Sequence, residues 1–138
     1  MRKRADIRTY AVILVGGRGK RLRPLSTDRR PKAFLSVTAD RKTMFRNTLD
    51  RIAGMVPPDR IVVVANRKHV RLVRKDLPKI AHKNIILEPS SRNTAPAIAI
   101  AARFLMNRDR DAVMLVMPTD QYAPDADEQI ASLKKGID

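Results

Sequence analysis

The sequence predicts an α/β fold in which an open, mostly parallel β-sheet lies between two layers of helices. Short apolar runs, typical of strands buried on both faces, recur four times along the 138 residues. Segments with apolar residues at helical spacing separate these runs, as in βαβ units. None of the runs approaches the ~18 apolar residues of a transmembrane helix. The combination predicts a three-layer, Rossmann-like architecture.

The first predicted strand leads directly into an unusual loop. Residues 10–15 (YAVILV) are continuously apolar and end at two glycines. Residues 16–32 then hold three glycines, two prolines and seven basic residues. A polar loop of this length inside a compact domain is usually functional. Residues 34–37 (FLSV) predict a short extended piece after the loop.

Helices and strands alternate along the remaining chain. Thr43 is expected to cap a helix that ends at Gly54, and residues 60–65 (RIVVVA) predict the second strand. A helix from Lys68 is expected to kink or end near Pro78, because proline cannot continue the hydrogen-bond ladder. The later predicted elements are a strand at 84–87, a helix at 94–107, a strand at 112–117 and a helix at 125–135.

Charge and composition exclude several classes of function. Lys and Arg number 29 against 14 Asp and Glu, and residues 1–83 carry 23 of the basic residues but only 6 acidic ones. Such a field attracts polyanions, although the 4% aromatic content and the absence of Trp argue against nucleic acid as the partner. The absence of Cys excludes disulfides, thiol nucleophiles and thiolate metal sites, and it fits the cytoplasm. His69 and His82 cannot build a multi-histidine zinc site and are expected at the surface.

The glycine loop has the composition of an anion site. In parallel sheets, ligands bind beyond the carboxyl ends of the strands, where this loop begins. Glycines allow backbone N–H groups to approach a ligand, and the adjacent cations supply counter-charge. The spacing matches neither a dinucleotide fingerprint nor a P-loop, because Leu22 and Leu14 occupy positions that need glycine. A flexible basic surface loop is the alternative.

Three motifs, in order, identify a family resemblance. They are GGRGKRLRPLS at 16–26 with RPKAFL at 30–35, EPSSRNTAPA at 88–97, and MPTDQY at 117–122. The first resembles the signature of sugar-nucleotide pyrophosphorylases, and the second is similar to that of mannose-1-phosphate guanylyltransferases. The resemblance implies a fold of the nucleotide-diphospho-sugar transferase type. It also implies transfer of GMP from GTP to mannose 1-phosphate, with Mg²⁺ as cofactor.

The resemblance assigns roles to particular residues. Arg21 and Lys32 are the expected catalytic residues, since charge neutralisation dominates when one phosphate attacks another. Asp120 is the expected magnesium ligand. The expected nucleotide-binding residues are Gly16, Gly17, Gly19, Glu88, Arg92, Asn93 and Thr94.

Simpler explanations stay open for several of these residues. Asp120 would also serve as a turn or helix-capping residue, and Asn93 or Thr94 as the cap of the following helix. Glu88 would accept hydrogen bonds from guanine or pair with Arg92. The sequence also departs from the family, which commonly has Ser or Thr where Lys20 stands and often Trp where Arg23 stands.

The domain organisation is expected to be a basic tail over residues 1–9 and the amino-terminal, nucleotide-binding part of a transferase domain over 10–138. The sheet is expected to be incomplete at its C-terminus, because family members continue far beyond this length. GTP and mannose 1-phosphate are the expected partners, with no membrane association and a homo-oligomer left open. A nucleotide-binding relative without turnover and a basic RNA-binding module are the alternative functions.

Overall fold

Four parallel strands form the predicted sheet. The computed structural model describes residues 8–17, 19–90, 93–121, 123 and 125–137. Their strand order is β3-β2-β1-β4, and every neighbouring pair is parallel. The strands are β1 (Thr9–Val15), β2 (Ile61–Asn66), β3 (Ile85–Glu88) and β4 (Val113–Pro118). The α/β prediction is therefore confirmed, and the first and last strands along the chain are neighbours.

Helices cover both faces of this sheet. They are α1 (Met44–Ile52), α2 (Val70–Asp76), α3 (Thr94–Met106) and α4 (Ala126–Ile137). Thr43 caps α1 as predicted, because its side chain accepts a hydrogen bond from the Arg46 backbone N–H at 2.9 Å. The predicted end near Pro78 is also confirmed, since α2 ends at Asp76. None of the helices in the described residues has the length and apolar character that crossing a bilayer requires.

Alternation along β1 divides the core into two halves. Ile13 and Val15 point toward α1 and α2, where they join Phe45 and Val73 in a buried cluster. Tyr10 and Val12 point to the other face, which α3 covers with small and aliphatic side chains. The residues of α3 in that half of the core are Ala97, Ala101 and Leu105. The sheet thus lies between two apolar layers, with its carboxyl edge open to ligands.

The last helix lies on the α1 side of the sheet. Leu133 of α4 packs against the core cluster that contains Phe45, and no residue of α4 is fully buried. The Arg51 guanidinium donates a hydrogen bond at 3.1 Å to Gln129, which links α1 to α4. Burial lowers the pKa of Arg51, whose Nε atom has no hydrogen-bond partner within the described chain.

The predicted extended piece at 34–37 is wrong. Residues Lys32–Phe34 form a 3-10 turn, and no strand follows it in the described structure before α1. Three consecutive residues, Ala33, Phe34 and Leu35, are all buried. An extended strand would send alternate side chains to opposite faces, whereas the turn lets the adjacent residues Ala33 and Phe34 join the same core cluster. Phe34 packs edge-to-face on Phe45 with ring centroids 6.0 Å apart.

Candidate active site

A cavity of about 670 Å³ opens at the carboxyl edge of β1 and β4. Its walls come from the glycine loop, the Lys32 turn, the start of α3 and the turn after β4. All nine sequence-predicted site residues that the structure describes line it, namely Gly16, Gly17, Gly19, Arg21, Lys32, Glu88, Asn93, Thr94 and Asp120. Arg92 lies outside the described residues. Segments from opposite ends of the chain therefore meet around one volume.

Lys32 and Asp120 form an ion pair on the wall of this cavity. The Lys32 Nζ group donates a hydrogen bond to Oδ2 of Asp120. Both side chains are partly open to solvent, at 30% and 42% exposure, so both are accessible to a ligand. The hydrogen bond from Lys32 lowers the pKa of the Asp120 carboxyl below its ordinary value. Asp120 is therefore ionised and Lys32 faces a full negative charge.

The position of Asp120 excludes one of its expected roles, that of a helix cap. It lies in a turn two residues after the end of β4, while α4 begins only at Ala126. Asp125 accepts the hydrogen bond from the Glu128 backbone N–H at 2.9 Å, so it is Asp125 that occupies the capping position. The helix-cap alternative for Asp120 is wrong, and its carboxylate faces the cavity.

Gly19 and Ser26 fix the position of Lys32. Gly19 has a left-handed φ of 57°, which glycine adopts without strain. The buried Ser26 hydroxyl donates a hydrogen bond of 2.6 Å to the Gly19 carbonyl. A Cβ atom on Gly19 would lie 2.9 Å from Cβ of Lys32 and 3.1 Å from Oγ of Ser26. The glycine loop and the lysine turn are therefore in contact only because residue 19 has no side chain.

Gly19→Ala is expected to lower the free energy of unfolding by about 2 kcal/mol, since alanine combines left-handed strain with a clash against Lys32. Urea unfolding measures this change. Gly16→Ala is the matched control, because its Cβ would meet no atom within 4 Å and its φ lies outside the left-handed region. Equal stability of the two variants would mean that the loop adapts and does not hold Lys32.

Glu88 is a buried carboxylate in the opposite wall. It is the last residue of β3, only 6% exposed, and burial raises its pKa. No described residue donates a hydrogen bond to its side chain. The apolar residues that share this cavity are Leu14, Val64 and Ala97. The carboxylate oxygens of Glu88 are not fully enclosed, so they are open to hydrogen bonds from a ligand in the cavity.

The start of α3 borders Glu88 but lacks side-chain capping. Asn93 occupies the N-cap position with a φ of 71°, and its side chain makes no capping hydrogen bond. Asn93 therefore stands at the predicted cap position, but without the side-chain hydrogen bond that usually stabilises a helix start. Thr94 is the first helical residue, and both residues are exposed on the cavity wall. Their polar groups are available to a ligand next to Glu88.

Arg21 stands in a one-turn 3-10 helix, Lys20–Leu22, on the solvent side of the cavity. It is exposed, as is Lys20. Together with Lys32 they put three cations around the glycine loop, which suits a polyanionic ligand such as a triphosphate.

The residues fit a divalent metal held mainly by substrate. No group of three or more His, Asp or Glu side chains gathers within the described residues. Mg²⁺ is commonly bound by one or two carboxylates together with substrate phosphates. Asp120, ionised and open to the cavity, has the chemistry of such a ligand.

Sequence reasoning missed two features of this region. His69 and His82, expected at the surface, are half-buried, and each Nε2 lies 3.0 Å from a backbone carbonyl, that of Asp28 and of Leu77 respectively. The role of Ser26 in holding Gly19 was also missed, although the PLS run of the first motif contains this serine. No local pattern signals such contacts, because they depend on which loops the fold brings together.

Comparisons with known proteins agree with this arrangement. The chain is 44% identical over 118 residues to the alginate biosynthesis protein AlgA of Pseudomonas putida, a match that covers 83% of this chain and 24% of AlgA. It is 45% identical, with the same coverage, to mannose-1-phosphate guanylyltransferase RfbM of Salmonella typhimurium. The chain thus spans about a quarter of the length of these relatives.

A solved structure is also similar. The fold superposes with a TM-score of 0.80 and 34% identity on a structure described as mannose-1-phosphate geranyltransferase from Thermus thermophilus, covering 94% of this chain and 37% of that one. A nucleotidyl transferase family model matches residues 10–135. Enzymes of this family generally use a divalent metal ion. With its parallel sheet, its glycine loop and this match over almost its whole length, the chain belongs to the nucleotidyl transferase family.

Proposed function

We propose that the protein transfers the GMP part of GTP to mannose 1-phosphate and releases GDP-mannose and pyrophosphate. The observation that carries this proposal is the Lys32–Asp120 ion pair on the cavity wall beside the glycine loop. The similarity to RfbM, a mannose-1-phosphate guanylyltransferase by name, supports the choice of substrates.

The reaction joins two anions, so charge neutralisation is the main demand. An oxygen of the sugar phosphate forms a bond to the α-phosphorus of GTP. The bond from that phosphorus to the bridging oxygen breaks, and pyrophosphate leaves with the electron pair. No protein nucleophile is needed, which agrees with a chain that has no Cys.

The residues of the cavity divide this work among them. The backbone N–H groups of Gly16, Gly17 and Gly19, together with Arg21, bind the phosphates of GTP. Lys32 neutralises charge on the α-phosphate as the sugar phosphate approaches. Asp120 holds Mg²⁺, which supplies positive charge to the phosphate oxygens when it is bound.

Glu88 recognises guanine in this proposal. The N1–H and N2–H₂ groups of guanine donate hydrogen bonds, and an ionised carboxylate accepts two at once. Glu88 is buried, has no donor among the described residues and lies beside Asn93 and Thr94. A site that accepts hydrogen bonds from a base discriminates strongly against bases that lack the matching donors. Asn93, Thr94 and Arg92 contribute further polar contacts around the nucleoside.

GTP affinity is expected to rise with pH through the raised pKa of Glu88 and then level off. Only the ionised carboxylate accepts from guanine with both oxygens. Because burial raises the pKa of Glu88, a larger fraction of it is protonated at a given acidic pH than of an exposed Glu. Calorimetric titration at several pH values measures the trend. Glu88→Gln removes this part of the pH dependence and lowers the preference for GTP over ATP at least about tenfold. Since the phosphates titrate equally in both proteins, an unchanged pH profile in the variant would exclude Glu88 from base recognition.

Incubation with labelled GTP, mannose 1-phosphate and Mg²⁺ tests the proposed function directly. We expect labelled GDP-mannose and stoichiometric pyrophosphate. GTP binding without product would support the alternative of a nucleotide-binding relative without turnover. The absence of any GTP binding by a folded protein would contradict both.

Two further proposals concern the chain as a whole. We infer a basic tail over 1–9 and a nucleotide-binding part of a transferase domain over 10–138. Residues 1–7 of the tail lie outside the described structure, and Thr9 is already the first residue of β1. A cytoplasmic location stays a prediction from composition.

A further inference from the structure

The loop that carries Lys32 is held as a closed turn. Thr27 and Arg30 exchange backbone hydrogen bonds of 3.0 and 3.1 Å, and the Thr27 hydroxyl accepts from the Arg30 N–H at 3.0 Å. Lys32 follows this turn by two residues, directly after the buried Pro31. This turn, which we call the 27–30 turn, therefore sets the direction from which the chain enters Lys32, while Gly19 and Ser26 contact the lysine from the other side.

The tip of the 27–30 turn lies over a second cavity. This cavity measures about 270 Å³ and is separate from the one that Lys32 faces. It is bordered by Gly16, Asp28, Pro31, Asn66 and His69, among other residues. Because space lies beneath the turn, packing alone does not support its tip, and hydrogen bonds from the far side of this cavity become important.

His69 reaches across to that tip. Its Nε2 atom lies 3.0 Å from the backbone carbonyl of Asp28, a residue 41 positions earlier in the sequence. A carbonyl only accepts hydrogen bonds, so the imidazole Nε2–H is the donor. The contact links the carboxyl end of β2 with the turn that carries the lysine.

His69 is itself held rigidly at the end of β2. It is the last residue of a 3-10 turn, Arg67–His69, that follows the strand directly. The Asn66 side chain accepts a hydrogen bond from the Lys68 backbone N–H at 3.0 Å and so caps that turn. The half-buried imidazole thus projects from a fixed support onto a turn that is otherwise held by the hydrogen bond from Arg30 Nε to the Phe34 carbonyl at 3.3 Å and by an exposed ion pair between Arg23 and Asp28 at 3.8 Å.

From these contacts, and resting on the proposed function, we propose that His69 is a positioning residue for Lys32. The Nε2–H donor holds the 27–30 turn at the Asp28 carbonyl, which fixes the approach of Lys32 to the α-phosphate. His69 touches no substrate in this role. It acts on the rate through the geometry of Lys32, since small displacements of a catalytic group are costly.

Two replacements of His69 by side chains of similar length distinguish the effect of its hydrogen-bond donor from the effect of its size. His69→Gln keeps an amide N–H near the position of Nε2, whereas His69→Met fills the space without any donor. His82→Met is the matched control, because His82 also contacts a backbone carbonyl at 3.0 Å, that of Leu77, but borders neither of the two cavities. Urea unfolding verifies that each variant is folded.

The rate of guanylyl transfer is expected to depend on a hydrogen-bond donor at position 69. In His69→Met, kcat falls roughly tenfold while the KM for GTP changes less than about threefold, and His69→Gln restores most of the rate. His82→Met behaves like wild type. A kcat in His69→Met equal to that of wild type, or equal losses in the Met and Gln variants, would overturn the proposal.

Amide hydrogen exchange tests the same contact without turnover. The Thr27 and Arg30 amides are expected to exchange about tenfold faster in His69→Met than in His69→Gln, with the amides of α1 unchanged. Equal exchange in the two variants would overturn the role of His69 even if no transfer were detected. Absence of transfer in the wild type would instead contradict the proposed function. Should His69→Met not fold, His69→Glu takes its place, since it has the shape of Gln with acceptors only.

Discussion

Lys32→Met is expected to lower the rate of guanylyl transfer roughly 10³-fold, the typical cost of removing a group that stabilises transition-state charge. Methionine keeps the unbranched side chain but loses the ammonium group that pairs with Asp120. The KM for GTP should change less than about tenfold, because the glycine loop and Arg21 still bind the phosphates. Single-turnover measurement with labelled GTP separates the chemical step from binding.

Lys42→Met provides the control for this substitution. Lys42 also forms an ion pair, with Asp50 at 2.7 Å, but it lies outside the cavity. Exposed pairs of this kind contribute little to stability, so Lys42→Met should fold and turn over like wild type. If Lys32→Met kept the wild-type rate, Lys32 would be a structural partner of Asp120 and would have no part in the chemistry.

The strands were predictable because burial on both faces leaves a continuous apolar run. All four begin and end within one residue of the predicted limits, for example β2 at Ile61–Asn66 against the predicted 60–65. The segment at 34–37 was predicted as an extended piece because it is also apolar, like the strands. Its consecutive buried residues pack in a turn, and apolar content alone does not distinguish a turn anchored in the core from a strand.

Strand order was the decisive feature that the sequence did not contain. Each motif could be assigned to the carboxyl edge of the sheet, but Lys32 and Asp120 meet only because β4 lies next to β1. Parallel sheets permit several orders for the same succession of strands. The ion pair, like the contact of His69 with Asp28, is a product of that order and has no local signal.

Glu88 illustrates a different limit. From the sequence, Glu88 could either recognise guanine or pair with Arg92, and Arg92 lies outside the described residues. The structure adds that Glu88 is buried, without a donor among the described residues, in the wall of the cavity that Lys32 faces. Motif spacing reports only that a carboxylate follows a strand, whereas its solvation depends on Leu14 and Val64 from two other strands.

Asp120→Asn is expected to lower the turnover that depends on Mg²⁺ and to raise the affinity for GTP in the absence of metal. With Mg²⁺ present, turnover should fall by roughly two to three orders of magnitude and the metal concentration needed for half-maximal rate should rise, because the neutral amide is a poor ligand for a hard cation. Without metal, GTP affinity should increase about threefold, since Lys32 loses its carboxylate partner and its charge becomes available to phosphate.

This reversal separates a metal ligand from a purely electrostatic partner. Asp50→Asn is the matched control: Asp50 pairs with Lys42 and with Arg46 at 2.9 Å, and its loss should leave both titrations unchanged. A wild-type magnesium titration in Asp120→Asn would mean that the carboxylate only neutralises Lys32. Weaker metal-free binding would mean that Lys32 does not receive phosphate at all. Calorimetry with and without Mg²⁺ therefore tests the two partners of the ion pair independently. The metal ion needs the carboxylate of Asp120, whereas the phosphate of GTP competes with that carboxylate for Lys32.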